Sequence, residues 1–499
     1  MVRTVNEAGF EAIEELEQID SCEQHLLGTG YEAMRAALGA QMSAVSKKKS
    51  PAAMNGGKPT VYRVLGELGA LKFDHWPGVD GRDAMAPQPG KSIHKTKGFN
   101  EVALFMAACW GSYRKAAEGY CRLVHQAGAL CGPTLQDMVE RASTRYSAGL
   151  DKKAAGALAA NGFDPSGGPL APVPPAAIVA MGGAPVPAAF EGMSNDAPPS
   201  VRPHLSADGA YESPADTINV SIDDICTKEQ KRSRRRPGAP AADKTPAGKG
   251  KPARAPKNAP PAADGGGKPK RKLPPRKQHY QTVVHLEGKA GKYVLNGKKL
   301  EVLYAIIVAF LASNGHLSDN WVFFVDGQQT LHAGILSHFH WKDKLRIILD
   351  HYHLQKKCRH QFHMALHNNE QREGVMAMTA TYLWYGLTAQ AIQHLRDVDG
   401  ALVKNQKELD ILIGYLERNS AYIPCYEMRK RLGLRNSSNI VEKANDTLVA
   451  RRQKHNGMSW SSEGSIALAQ LTAIRVNNGV EAWLSKKEIP FTWVPAKAA

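Results

Sequence analysis

Thr217-Ile-Asn-Val-Ser-Ile-Asp-Asp224 is an apolar island inside a stretch dominated by proline, alanine and glycine. Ile218, Val220 and Ile222 alternate with polar residues, the period-two pattern of a half-buried strand, and the run ends on two carboxylates. Of the 30 prolines in the chain, 21 lie between Pro165 and Pro275. Such composition buries too little apolar surface to offset chain entropy. The flanks therefore predict disorder, and the island predicts the first strand of a domain that resumes near His279.

Downstream, Gln281 to Glu287 and Lys292 to Asn296 read as a hairpin turning at Gly288 to Gly291. Lys299 to Ser313 reads as a helix, and Trp321-Val-Phe-Phe-Val-Asp326 as a buried strand ending in an acid. Thr330 to Phe339 is again helical, and Leu345-Arg-Ile-Ile-Leu-Asp350 repeats the strand with its terminal acid. From His351 to Arg431 the pattern is helical throughout; a last helix starts near Ser438 and passes Glu442 to about Gln453. Three strands, then alternating helix and strand, is the order of a ribonuclease-H-like α/β fold with an all-helical insertion at about 351–431.

In that fold the first and fourth strands are neighbours. Asp223 and Asp326 would then point into one cleft, with Glu442 brought opposite by the closing helix. Asp224 competes with Asp223 for the first position, and Asp350 could replace one of the three. Carboxylates of this kind suit hard cations, Mg²⁺ or Mn²⁺. Two such ions, ~3.5–4 Å apart, support in-line phosphoryl displacement. Each acid alone is equally a cap or a solvated side chain; the combination carries the inference.

Upstream, residues 1–150 read as mostly helical (Phe10 to Leu16, Tyr31 to Met42, Asn100 to His125) around a strand-like Val61 to Phe73. Ser112 to Tyr120 and Gly132 to Glu140 suggest a helix-turn-helix spanning 112–144, with Thr134 as N-cap. Gln136 and Arg141 would reach groove edges or the backbone; a plain helical bundle fits the same pattern. The organisation expected is multidomain: a helical DNA-binding domain at 1–150, a linker at 151–215 and a catalytic domain at 216–499.

Over the 499 residues, 64 Lys and Arg against 47 Asp and Glu give a net charge of +17. Residues 228–277 alone hold 17 basic and 3 acidic residues, which predicts a polyanionic partner, DNA or RNA before a membrane surface. Residues 232–277 read as a disordered basic insertion, in which Arg234, Arg235 and Arg236 would bind phosphates without sequence preference. Arg451, Arg452, Lys454 and Trp460 mix cations with an aromatic, a pattern suited to DNA backbone contacts and base stacking. A solvated helix end followed by a core tryptophan reads equally well. His351, His353, His360, His363 and His367 include zinc-like spacings, but the neighbouring Lys356, Lys357 and Arg359 favour phosphate or solvent. The chain shows no apolar run of the ~20 residues a membrane helix needs and no secretory signal, and its seven cysteines form no C-x-x-C pair. These features predict a reduced, cytoplasmic protein.

Several motifs are more specific. Gly433-Leu-Arg-Asn-Ser-Ser-Asn-Ile-Val-Glu-Lys-Ala-Asn-Asp446 continues into Val449-Ala-Arg-Arg-Gln-Lys-His-Asn-Gly-Met-Ser-Trp-Ser461 and Gly464-Ser465. Phe324-Val-Asp-Gly327, Ile348-Leu-Asp-His-Tyr-His-Leu354 and Ile222-Asp-Asp-Ile-Cys-Thr-Lys-Glu-Gln-Lys231 accompany them. In these stretches the chain resembles bacterial insertion-sequence transposases of the DDE type, over roughly 216–231 and 280–485. Ser437-Ser-Asn439 stands where related groups carry a glycine-flanked serine. The resemblance implies that Asp223, Asp326 and Glu442 bind two Mg²⁺ or Mn²⁺ ions, with Asp350 and His353 as positioning elements. It implies DNA element ends and target DNA as partners, a homo-oligomer in the active complex, and a place at the bacterial nucleoid. A retired transposase that only binds DNA, and a nuclease or resolvase on the same fold, are the alternatives. The cysteines that pair on zinc in related N-terminal parts are absent from Asp74-His-Trp-Pro-Gly-Val-Asp80, so that metal is not expected.

Overall fold

The computed structural model describes residues 16–50, 56–76, 93–173, 185–207, 209–230, 277–343, 345–367, 370–454 and 458–495. A small sheet comes first: β1 (Thr60–Gly66), β2 (Gly69–His75) and β3 (Ile93–Lys95), in the order β2-β1-β3. The strand-like Val61 to Phe73 is thus a hairpin, not one strand. Gly69, at φ 104°, supplies the left-handed residue that turns it.

The larger sheet is built from β4 (Thr217–Lys228), β5 (Gln278–Gly288), β6 (Gly291–Gly297), β7 (Asn320–Val325) and β8 (Leu345–Leu349). Its order is β6-β5-β4-β7-β8; the first three strands are antiparallel, and β7 and β8 run parallel to β4. The apolar island is therefore the central strand. Alternation decides its two faces: Ile218, Val220 and Ile222 join the core beneath the Leu300–Ser313 helix, whose own residues from Leu303 to Ala312 are all buried. On the other face Ile225, Val283 and Val294 meet Val441, Ala444 and Leu448 of the closing helix. The β6 edge is covered rather than left open: Asn477 bonds both the N–H and the C=O of Val294, and Val494 pairs with Lys292.

Between β8 and the closing helix the chain is helical, from His351–Ala365 through Glu370–Trp384, Thr388–Arg396 and Gln406–Asn419 to Tyr426–Arg431. These helices bury their own cluster, Leu354, Phe362, Leu395, Leu412 and Tyr426, against Phe324 and Ile348 of the sheet.

The N-terminal part departs from the reading as a separate domain. Tyr113–Leu123 and Gly132–Ala160 are helices, but eight residues separate them and the second runs for 29 residues, straight through the boundary expected at 150. Leu135, Val139, Tyr146 and Leu150 share one core with Ile307, Phe310 and Leu471, so this helix is packed between the sheet's helices. Its N-cap is Cys131 rather than Thr134, with Pro133 in the first turn where its missing N–H costs nothing. Parts of the expected linker are also ordered, including a helix at Pro185–Asp196. The basic insertion, with Arg234, Arg235 and Arg236, lies outside the described residues. Among the described residues no helix is long and apolar enough to cross a membrane.

Candidate active site

Register places the first two acids side by side. Ser221 of β4 pairs with Phe324 of β7, so two residues further on Asp223 stands beside Asp326 at the carboxyl ends of parallel neighbours. Asp223 is opposite Val283 and shares its face, which the closing helix covers. Asp224 points to the other face, where its Oδ1 accepts the Thr282 hydroxyl. Period two thus separates the competing carboxylates: Asp223, not Asp224, faces the late glutamate. Asp326 Oδ1 accepts the Gln328 N–H at 3.0 Å, and Gly327, at φ 89°, turns the chain away. A Cβ at Gly327 would meet the Tyr415 hydroxyl at 2.7 Å, so this turn is closed to side chains.

Glu442 arrives on the short helix Asn439–Asn445, which continues in wider π-helical winding over Asp446–Lys454. One turn after Glu442, Asn445 Nδ2 donates to Asp223 Oδ2 at 2.6 Å and ties this helix to the central strand. His353 Nε2 stands 3.5 Å from Glu442 Oε1. Burial pushes the Asp223 carboxyl up to about 6; His353 and the Asp224 N–H pull it down, while Asp326 and Glu442 push it up. The four groups therefore feel one another's charge. In the sequence Asn445 stands three residues after Glu442, on the same helix face, but nothing there shows its partner.

Asp350 occupies the next position in the same row, since Val325 pairs with Leu349. Its environment is different. It is fully buried; Oδ1 accepts the His353 N–H at 2.9 Å as N-cap of the His351–Ala365 helix, and Oδ2 accepts the Ser438 N–H. Both oxygens are thus committed to backbone amides, one on each helix that carries a site residue.

A cleft of about 720 Å³ opens off these strand ends, lined by Asp223, Asp224, Asp326, Gln328, Lys298 and Asp164. Glu442 stands outside that lining, turned to His353. Among the described residues no three His, Cys, Asp or Glu side chains already stand close enough to share a metal ion. The donor set nevertheless suits a hard cation. It is made of carboxylate oxygens, and the raised Asp223 carboxyl reports burial and negative charge that nothing nearby neutralises in full. The remaining histidines scatter: His351 lies edge-on to Trp384, and His360, His363 and His367 are exposed.

The residues expected to touch nucleic acid divide. Gln136 and Arg141 are exposed on the Gly132–Ala160 helix and paired along it, to Glu140 at 3.0 Å and Asp137 at 2.9 Å. Arg451 and Lys454 are exposed, and Arg451 is paired with Asp446 at 2.6 Å. Arg452 and Trp460 correct the expectation. Arg452 is 8 % exposed, its guanidinium lying between the rings of Tyr113 (5.1 Å) and Trp460 (5.5 Å) and donating to the Gly111 carbonyl. Trp460 is buried: its backbone pairs with Lys228 at the end of β4 and with Gln230 just beyond it, and its Nε1 donates to the Gln453 carbonyl at 3.2 Å. Neither can stack on a base. Trp460→Phe should cost about 1–2 kcal/mol in urea unfolding, from lost contact and one lost hydrogen bond. DNA affinity should stay within about twofold; a large affinity loss at unchanged stability would restore the stacking role.

No family model matches this chain, and no curated protein was found to be similar to it.

Proposed function

We propose that the chain is a DNA transposase of the DDE type, cutting and joining DNA strands by metal-dependent in-line phosphoryl displacement. One observation carries this reading: Asp223 and Asp326 lie side by side at adjacent strand ends, and Glu442 acts on the same buried carboxyl. The strand order β6-β5-β4-β7-β8, with a helical insertion before the closing helix, agrees with a ribonuclease-H-like catalytic domain.

Asp223, Asp326 and Glu442 would hold two Mg²⁺ or Mn²⁺ ions. When bound, such a pair neutralises charge on the attacking and leaving oxygens of a phosphodiester. The protein's own part is positional. Asn445 orients Asp223, His353 holds Glu442, and Asp350 fixes the helices that bear His353 and Glu442. Exposed cations on the flanking helices, Lys356, Arg359, Arg451 and Lys454, can meet phosphates, and DNA is the proposed partner.

The test is a strand-transfer assay. The full chain is incubated with Mg²⁺, labelled duplexes carrying the inverted repeats that flank its coding region, and a supercoiled target. Cleavage that leaves a 3′-hydroxyl, followed by covalent joining to the target, is expected. Nicking without joined products would reassign the site to a nuclease, and binding without nicking would leave a DNA-binding protein.

A further inference from the structure

The cleft beside the acids has a second half that the proposed metal chemistry does not use. Ile222 and Asp224 share the face of β4 that the Leu300–Ser313 helix covers, and from Asp223 and Asp326 the lining runs on to Glu301, Tyr304 and His338. Tyr304 is 2 % exposed, and its hydroxyl has no hydrogen-bond partner among the described residues. Nε2 of His338 has none there either, and the two rings lie 5.0 Å apart. Buried polar atoms left unbonded are costly, so two of them on one cleft point to a ligand that bonds them.

The space before both atoms is kept by glycines. Gly334 lies inside the Gln329–His338 helix, where glycine is a poor helix former, and a Cβ there would stand 3.2 Å from the Tyr304 hydroxyl. A Cβ at Gly167, at φ 91°, would stand 3.3 Å from His338 Nε2. The whole cleft, about 720 Å³, is of the size that takes a small organic molecule.

Charge decides which kind. Asp164, Asp224 and Glu301 line this half, and Lys298, the one Lys or Arg among the lining residues, is paired with Glu463 at 3.7 Å. A phosphate is repelled here. A nucleobase is uncharged; its ring offers acceptors and its exocyclic amine offers N–H groups. Burial and the charges of Glu301 and Asp224 hold the Tyr304 hydroxyl well above its usual range, so it remains a donor. Asp224 already accepts the Thr282 hydroxyl. Glu301, three residues before Tyr304 on the same helix face, is then the acceptor for the amine.

We propose that this half of the cleft is a base-binding subsite. It takes one nucleobase, turned out of the stack, from the strand whose phosphate lies at Asp223 and Asp326. Tyr304 donates to the ring, and Glu301 accepts from the amine. Adenine, guanine and cytosine carry that amine and thymine does not, so thymine fits worst. The subsite rests on the strand-cutting reading of the acids.

The test uses the full chain and duplexes of the flanking inverted repeats, with 2-aminopurine placed in turn at each nucleotide beside the cleavage point. Ca²⁺ replaces Mg²⁺ so that the duplex is held uncut. At one position fluorescence should rise severalfold on binding, as the base leaves the stack. Tyr304→Phe removes the donor, and Gly334→Ala sets a methyl group before it; each should lose most of that rise while melting close to wild type. With Mg²⁺ and natural bases at that position, thymine should be cut roughly tenfold more slowly than adenine, and Glu301→Ala should narrow the ratio to about twofold. Nicking with no position brightening, equal rates for all four bases, or a rise that both variants keep overturns the subsite and leaves the strand-cutting reading in place. A chain that neither binds nor nicks the repeats removes both.

Discussion

Asp223→Asn should abolish strand cleavage, by roughly 10³-fold or more, and at the same time make the folded chain more stable at neutral pH. The two effects share one cause. The Asp223 carboxyl rises from 3.8 to about 6, chiefly by burial, so the native state holds its proton more tightly than the unfolded chain does. The native state therefore binds more protons between those values, and stability falls as pH rises through that window. Below about pH 4 both states are protonated and nothing is lost. Above about pH 6 the native carboxylate costs about 1–3 kcal/mol, because one pKa unit is worth about 1.4 kcal/mol and Asp223 is partly open to solvent. The amide carries no charge, and the bond from Asn445 can be kept by its oxygen. Melting curves at pH 8 should thus place the variant above wild type, with the gap closing toward pH 4. Millimolar Mg²⁺ should raise the wild-type midpoint and leave the variant where it is, since binding to the native state alone stabilises by mass action. Asp326→Asn and Glu442→Gln should lose cleavage equally, whereas Asp224→Asn should retain it, since its side chain bonds Thr282 on the opposite face. An active Asp223→Asn would remove this carboxylate from the reaction. A variant less stable at pH 8 would mean that the charge is paid for elsewhere in the fold.

How far the site could be read in advance follows from the kind of order that holds each residue. Strand alternation and terminal acids are local signals, so β4, β7, β8 and the pairing of Asp223 with Asp326 were legible before any coordinates. The choice between Asp223 and Asp224 was not. It depends on which sheet face the closing helix covers, a tertiary fact carried by Val283 and Val441. Arg452 and Trp460 failed for a related reason. A cation beside an aromatic reads the same whether it faces DNA or closes on itself, and here Tyr113, more than 300 residues away in the chain, completes the stack. The helix-turn-helix reading saw two helices correctly but could not see that the second continues to Ala160 and shares the core of the larger sheet. Apolar spacing shows that a helix has a buried face, not which domain buries it.

Asp350→Ala should be among the most damaging single changes in the site, although this carboxylate has no free oxygen to offer a ligand. One oxygen caps the His351–Ala365 helix through the His353 N–H, and the other receives the Ser438 N–H immediately before the helix of Glu442. Alanine leaves both amides unsatisfied in a fully buried position. Each such orphan costs about 1–3 kcal/mol, and loss of an N-cap alone about 1 kcal/mol, so a total of about 3–5 kcal/mol is expected in urea unfolding. Asparagine keeps one acceptor of the same shape and turns an N–H₂ toward the other amide, which should limit the cost to about 2 kcal/mol. Both variants should also lose cleavage, because His353 and Glu442 would no longer be held at 3.5 Å. The pattern across the row of acids then separates two roles that sequence cannot. A carboxylate that holds a cation loses activity without losing stability when made an amide, as expected for Asp326. A carboxylate that holds backbone loses both, in the order alanine worse than asparagine. If Asp350→Asn were as stable as wild type and inactive, Asp350 would belong with Asp223 and Asp326 among the groups that meet the reaction itself.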